Sequence, residues 1–150
     1  MKKTEYQPVT VHFHLSAQLA QVVGELRTER SSWGTTTRAL LEFGIAVLEH
    51  GRREISGLLT VKEWRLMADA FNSTLITPDA LPFLHCEIAD ADEDGALSEK
   101  WGVAGESIAA RLRAASPAAQ WAVADALMRL KLDIRASALA RLGIAVSEGV

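Results

Sequence analysis

A single cysteine, Cys86, among 150 residues leaves nothing from which to build a disulfide framework within the chain. A lone thiol fits a reducing cytoplasm. No apolar run approaches the roughly 18 residues of a membrane span, so no membrane partner is predicted. Met1-Lys2-Lys3 leads into polar residues rather than an apolar core, which predicts no secretory leader. There is no phosphate-binding glycine loop, no nucleophile elbow and no second cysteine, so the sequence points to neither an enzyme, a metal centre nor a cofactor. Aromatic residues make up only 6% of the chain, yet the hydrophobic fraction is 49%, the level of an ordinary globular protein.

What is present is concentrated between Val9 and Gly51. Val9, Val11, Phe13 and Leu15 alternate with Thr10, His12 and His14. In an extended chain that alternation separates an apolar face from a polar one. Ser16 then offers a helix N-cap ahead of Leu19, Val22, Val23 and Leu26 at helical spacing. Ser31-Ser32-Trp33-Gly34 predicts a break. A second helix follows, capped by Thr35, Thr36 or Thr37, filled by apolar residues from Ala39 to Leu48, and ended by His50-Gly51. The predicted order is strand, helix, turn, helix.

One strand has two unpaired edges, and no second alternating segment lies nearby. The simplest partner is the same strand of a second copy, antiparallel about a two-fold axis. Gly44, inside a helix that is apolar on more than one stripe, fits a place where two backbones approach closely.

With this order and these residues, the first third of the chain resembles a ribbon-helix-helix domain, the class of small dimeric repressors whose two-stranded ribbon reads the DNA major groove. The resemblance implies that Thr10, His12 and His14 face base edges of double-stranded DNA. It also implies that Gly34, Thr35, Thr36, Thr37 and Arg38 meet a phosphate, where free N–H groups and the helix dipole favour an anion. Lys2 and Lys3, in a polar arm over residues 1–8, would add phosphate contacts. Two histidines are unusual readers, because a neutral imidazole brings one donor and no charge. Across a two-fold ribbon, His12 and His14 would gather four imidazoles, an arrangement able to hold zinc or nickel or to respond to pH.

The net charge of −3 is unevenly spread. Residues 1–56 hold seven basic and six acidic side chains, and the remainder holds nine and thirteen. The mildly positive end is therefore the predicted DNA-facing one.

Beyond Gly51, residues 52–57 read as a hinge with Gly57 at its flexible point. Thr60-Val61-Lys62-Glu63 matches a capping box for a helix carrying Trp64, Met67, Ala68 and Phe71. Further helices are predicted through Phe83, Leu84 and Ile88 to about Ala91, from Gly105 or Glu106 to Ala115, from Ser116-Pro117 through Trp121 to Leu130, and from Ala138 to Leu142. Residues 58–150 thus read as a bundle of four to six short helices with a core drawn from Trp64, Phe71, Phe83, Trp101 and Trp121.

Asp90, Asp92, Asp94, Gly95 and Leu97 fall where a calcium-binding EF-hand loop needs them, but Trp101 stands where the closing glutamate belongs. A solvated acidic turn is the simpler reading, with docking of a basic partner, including the chain's own arm, as the other. His85, Cys86 and Glu87 are adjacent on a predicted helix, so they point in different directions and form no nucleophile and base pair.

These readings together predict a mainly α protein with an intertwined N-terminal ribbon-helix-helix dimer over residues 9–54 and a helical domain over 58–150. The predicted function is a cytoplasmic, DNA-binding transcriptional regulator, a repressor acting as a homodimer, whose helical domain binds an effector or a protein partner. The alternatives are an antitoxin of a toxin–antitoxin pair and a dimeric protein-interaction scaffold that does not bind DNA.

Overall fold

The computed structural model describes residues 16–28, 32–71 and 84–148, which form eight helices and no strand. The mainly α class is as expected. The ribbon-helix-helix resemblance is not supported: its defining strand is absent from the described residues, and the proposed strand Val9–Leu15 lies outside them. The second helix also departs from the expectation, because it does not stop at Gly51 but continues to Ile55.

The chain divides into two units, Met1–Glu42 and Phe43–Val150. In the first, α1 (Ala17–Leu26) starts where Ser16 accepts a hydrogen bond from the Leu19 N–H at 3.2 Å, as its sequence predicts. Its end lies against Trp33: a side chain at Gly24 would press on the indole, and the Arg27 guanidinium sits 5.1 Å from the ring centroid. Among the described residues of this unit, Val23 and Thr36 are buried.

Helix α2 (Trp33–Ile55) begins two residues ahead of the predicted threonine caps. The Ser32 hydroxyl accepts from the Thr35 N–H at 3.1 Å, the geometry of a helix N-cap, so Ser32 takes the place of the predicted threonine caps. Gly51 does not end the helix. It is buried where a Cβ would collide with the carbonyl of Ala118, so this glycine allows a close crossing instead of a left-handed cap. The turn occurs at Gly57, which has φ 78°.

In the second unit, α3 (Val61–Ala70) carries the predicted capping box: the Glu63 N–H donates to the Thr60 hydroxyl and the Thr60 N–H donates to the Glu63 carboxylate. Then come α4 (Leu84–Ala91), α5 (Ala96–Trp101), α6 (Gly105–Ala114), α7 (Pro117–Leu130) and α8 (Ala136–Arg141). Ser116 caps α7 with Pro117 in its first turn, as predicted. Helix α5 is the one the sequence reading missed. It is six residues long and is bounded by left-handed glycines, Gly95 and Gly102, with no side-chain cap to announce it.

Helix α4 packs along α6, and α3 touches α4, α5 and α6. Ile55, Leu59, Trp64, Leu66, Met67, Leu84, Ile88, Ile108, Leu112, Val123, Leu139 and Ile144 form the fully buried centre. Of the predicted aromatic core, Trp64 and Phe71 are buried, Trp101 and Trp121 are half-buried, and Phe83 lies outside the described residues. The chain's last described segment straps across the α2–α3 turn. The Gly57 N–H donates to the Ala145 carbonyl at 2.9 Å, and the Ser147 N–H donates to the Leu59 carbonyl at 2.8 Å.

Trp64 is fully buried, and its indole N–H has no hydrogen-bond partner among the described residues. Its contribution is therefore packing. Replacing Trp64 by Ala is expected to destabilise the fold by about 3–5 kcal/mol. Trp64→Phe keeps most of the ring volume and loses no hydrogen bond, so urea denaturation should show a clearly smaller loss for it.

Candidate interaction surface

Each predicted contact residue has a definite place or none. Lys2, Lys3, Thr10, His12 and His14 lie outside the described residues. Gly34, Thr35, Thr37 and Arg38 occupy the first turns of α2, where Thr36 is buried. The hydroxyls there are engaged locally: Ser32 Oγ donates to Thr35 Oγ1 at 2.9 Å, and Thr37 Oγ1 donates to the Trp33 carbonyl at 2.8 Å.

In the second unit the acidic loop does form a helix–turn–helix, with Gly95 at φ 73° between α4 and α5. Its carboxylates serve the turn. Asp92 accepts from both the N–H and the hydroxyl of Ser98, whose oxygen also receives the Gly105 N–H, and Asp94 accepts from the Ala96 N–H at 3.0 Å. Trp101, at the closing position, donates its indole N–H to Asp69 at 2.7 Å. Among the described residues no three His, Cys, Asp or Glu side chains gather as a metal site would require. An open groove of about 980 Å³ beside this turn is lined by Ala89, Ala104 and Ala109 together with Glu93, Glu106 and Arg113. Along α4, Cys86 is exposed while His85 and Glu87 are half-buried.

Charges within this unit join elements. The Arg111 guanidinium on α6 donates to both oxygens of Glu63 on α3 and to the Leu58 carbonyl at 2.8 Å. Burial alone would raise the Glu63 pKa, but the Arg111 hydrogen bonds, the Thr60 N–H and the Arg111 charge outweigh it and hold the carboxyl below its ordinary value. Asp69 is lowered too, chiefly by the hydrogen bond from Lys100, with Trp101 adding to it. Asp125 on α7 receives Arg52 from α2 at 3.1 Å and Arg129 at 2.9 Å.

The α1 helix and the first half of α2 present the opposite chemistry. Leu19, Val22 and Leu26 on α1 expose 46–55% of their surface. Trp33, Leu40, Leu41, Phe43 and Ile45 on α2 expose 37–70%. At about 100° per residue the α2 set covers well over a third of the helix circumference. A helix apolar over so wide an arc is ordinarily covered. Sequence patterning had marked this helix as apolar on more than one stripe, but it placed the function on the helix N-terminus and on the strand before it. The exposure of the apolar side chains was not visible without the fold.

Compared with known proteins, the chain matches no family model, no curated protein and no solved structure.

The Glu63 carboxyl is lowered in the folded state, so its contribution to stability is complete above the ordinary glutamate pKa of about 4.3 and drains away as pH falls below it. Glu63→Gln should lose stability near neutral pH and show a flatter acid limb than the native chain when denaturation midpoints are compared from pH 7 down to pH 3. Equal acid limbs would remove this carboxylate from the acid response.

Proposed function

We propose that the protein is a dimeric protein-interaction scaffold, with the first half of α2 as its association face. The observation that carries this reading is the exposure of five large apolar side chains on that helix. Fully burying an apolar side chain is worth about 1.5–3 kcal/mol, so covering what these residues leave in water is worth at most on the order of 4–8 kcal/mol. That is comparable with the roughly 4–15 kcal/mol lost in freedom when two proteins associate. Exposed apolar surface of this kind marks interaction sites.

The regulator and antitoxin readings both use DNA contacts that depend on the ribbon. The scaffold reading rests only on residues that the structure describes. The acidic second unit, with its open groove, would then be carried by the association face as paired copies. Among the described residues no helix is long and apolar enough to cross a membrane.

Sedimentation velocity over a wide range of concentrations tests the reading. The native chain should show reversible association, and Leu41→Glu should shift it to monomer with the helical circular dichroism unchanged. A native chain that stays monomeric throughout would sink the proposal. Selection of a palindromic duplex from random DNA by that same monomer would return the function to the DNA-binding class.

A further inference from the structure

We infer that the Leu41 and Ile45 flank of α2 in one copy pairs with the same flank of a second copy in antiparallel orientation, about a two-fold axis at the level of position 43 along the helix. This rests on the scaffold reading and goes further by fixing the partner, its direction and its contacts.

The argument comes from one flank of α2. Arg38, Leu41, Ile45 and Glu49 are all exposed, and at about 100° per residue they fall within an arc of roughly 80°. The flank therefore has an apolar middle, a positive end and a negative end. Neither Arg38 nor Glu49 makes an ion pair or hydrogen bond among the described residues. At about 1.5 Å of rise per residue they lie roughly 16 Å apart along the helix, too far to pair with each other.

Such a stripe is complementary to itself only when turned end to end. A two-fold axis makes residue i meet residue j and residue j meet residue i. The midpoint of Leu41 and Ile45 is position 43, and the midpoint of Arg38 and Glu49 falls within half a residue of it. One axis therefore serves both pairs: Leu41 meets the partner's Ile45, Ile45 meets the partner's Leu41, and Arg38 lies beside the partner's Glu49 at both ends. Parallel pairing would instead set Arg38 against the partner's Arg38 and Glu49 against the partner's Glu49, and like charges held together are unfavourable. Glu42 is exposed and lies about 20° beyond Glu49, outside this arc. A single helix crossing buries less than the roughly 1,600 Å² of a standard interface, so the dissociation constant is expected at or above the micromolar end of the range.

The test uses the full chain with reductant present, so that exposed Cys86 forms no adventitious link. Arg38→Glu and Glu49→Arg are each made alone, and each is measured by sedimentation equilibrium alone and in equimolar mixture. Each variant alone should dissociate roughly tenfold more readily than the native chain, because two rim pairs become repulsive. The mixture should return to near-native affinity, because every pair across the axis is then opposite in sign. The two sites do not touch within one chain, so recovery on mixing can only come from contact between copies. A mixture that stays as dissociated as the single variants overturns the antiparallel register; if Leu41→Glu is then monomeric while the native chain associates, the face itself stands. Single variants with native affinity overturn the register as well. A monomeric native chain removes both the register and the face.

Discussion

The crossing of α2 over the start of α7 at Gly51 is the contact on which the second unit depends. With no side chain at that position, the helix approaches the Ala118 carbonyl more closely than any Cβ would permit. The crossing brings Arg52 to Asp125 and drives Ile55 into the core. It also sets Glu54 where it accepts from the N–H and hydroxyl of Ser116, the residue that caps α7. A helix that carried alanine there would have to lift away from α7, and those contacts would part together. Gly57 then turns the chain, and the strap from Gly143 to Ser147 locks the turn in place.

From that crossing onward, polar groups are used as joints. Glu63, Asp69 and Asp125 each accept from two donors supplied by other residues, and each ties at least two helices. Small helices bury little area each, so their relative placement depends on directed bonds more than that of long helices does. The Glu63 and Arg111 pair is the fullest case, because the same carboxylate closes the α3 capping box and fixes α6 against the α2–α3 turn. The acidic turn between α4 and α5 follows the same rule. Its carboxylates are engaged in holding Ser98 and Ala96, which explains why a loop with the spacing of a calcium site serves as a structural corner.

The first half of α2 presents a different surface. It leaves Leu41, Phe43 and Ile45 in water and Arg38 and Glu49 without ion-pair partners among the described residues. Apolar residues in the middle with opposite charges at the ends are what one half of a symmetric contact looks like. The weak affinity that a single crossing supports would make assembly sensitive to the concentration of the chain. In that arrangement each copy carries its own groove and acidic corner, and association doubles them.

Where a helix begins is decided within a few residues, and at three helix starts the sequence sufficed. Ser16, Thr60 and Ser116 cap the helices they were expected to cap, because a cap is a bond between a side chain and a backbone two or three residues away. The mainly α class and the bundle after residue 58 followed from the same local signals and from helical periodicity. A glycine that turns the chain was legible, as at Gly57, while a glycine that admits a neighbour was not. Gly51 looked like a helix end and proved to be a crossing, while a Cβ placed at Gly44 would meet the Trp121 ring at an ordinary contact distance of 3.6 Å. Whether a glycine turns the chain or admits a neighbour depends on what lies beside it, and that neighbour is 67 residues away in sequence for Gly51. Alternation over Val9 to Leu15 likewise specified a pattern and not a partner, and the ribbon built on it has no counterpart among the described residues. The same holds for α2: its sequence determined that it is apolar on several sides, and only the tertiary structure decided which of those sides the chain covers itself and which it leaves for something else, because burial is a property of what arrives from elsewhere in the fold.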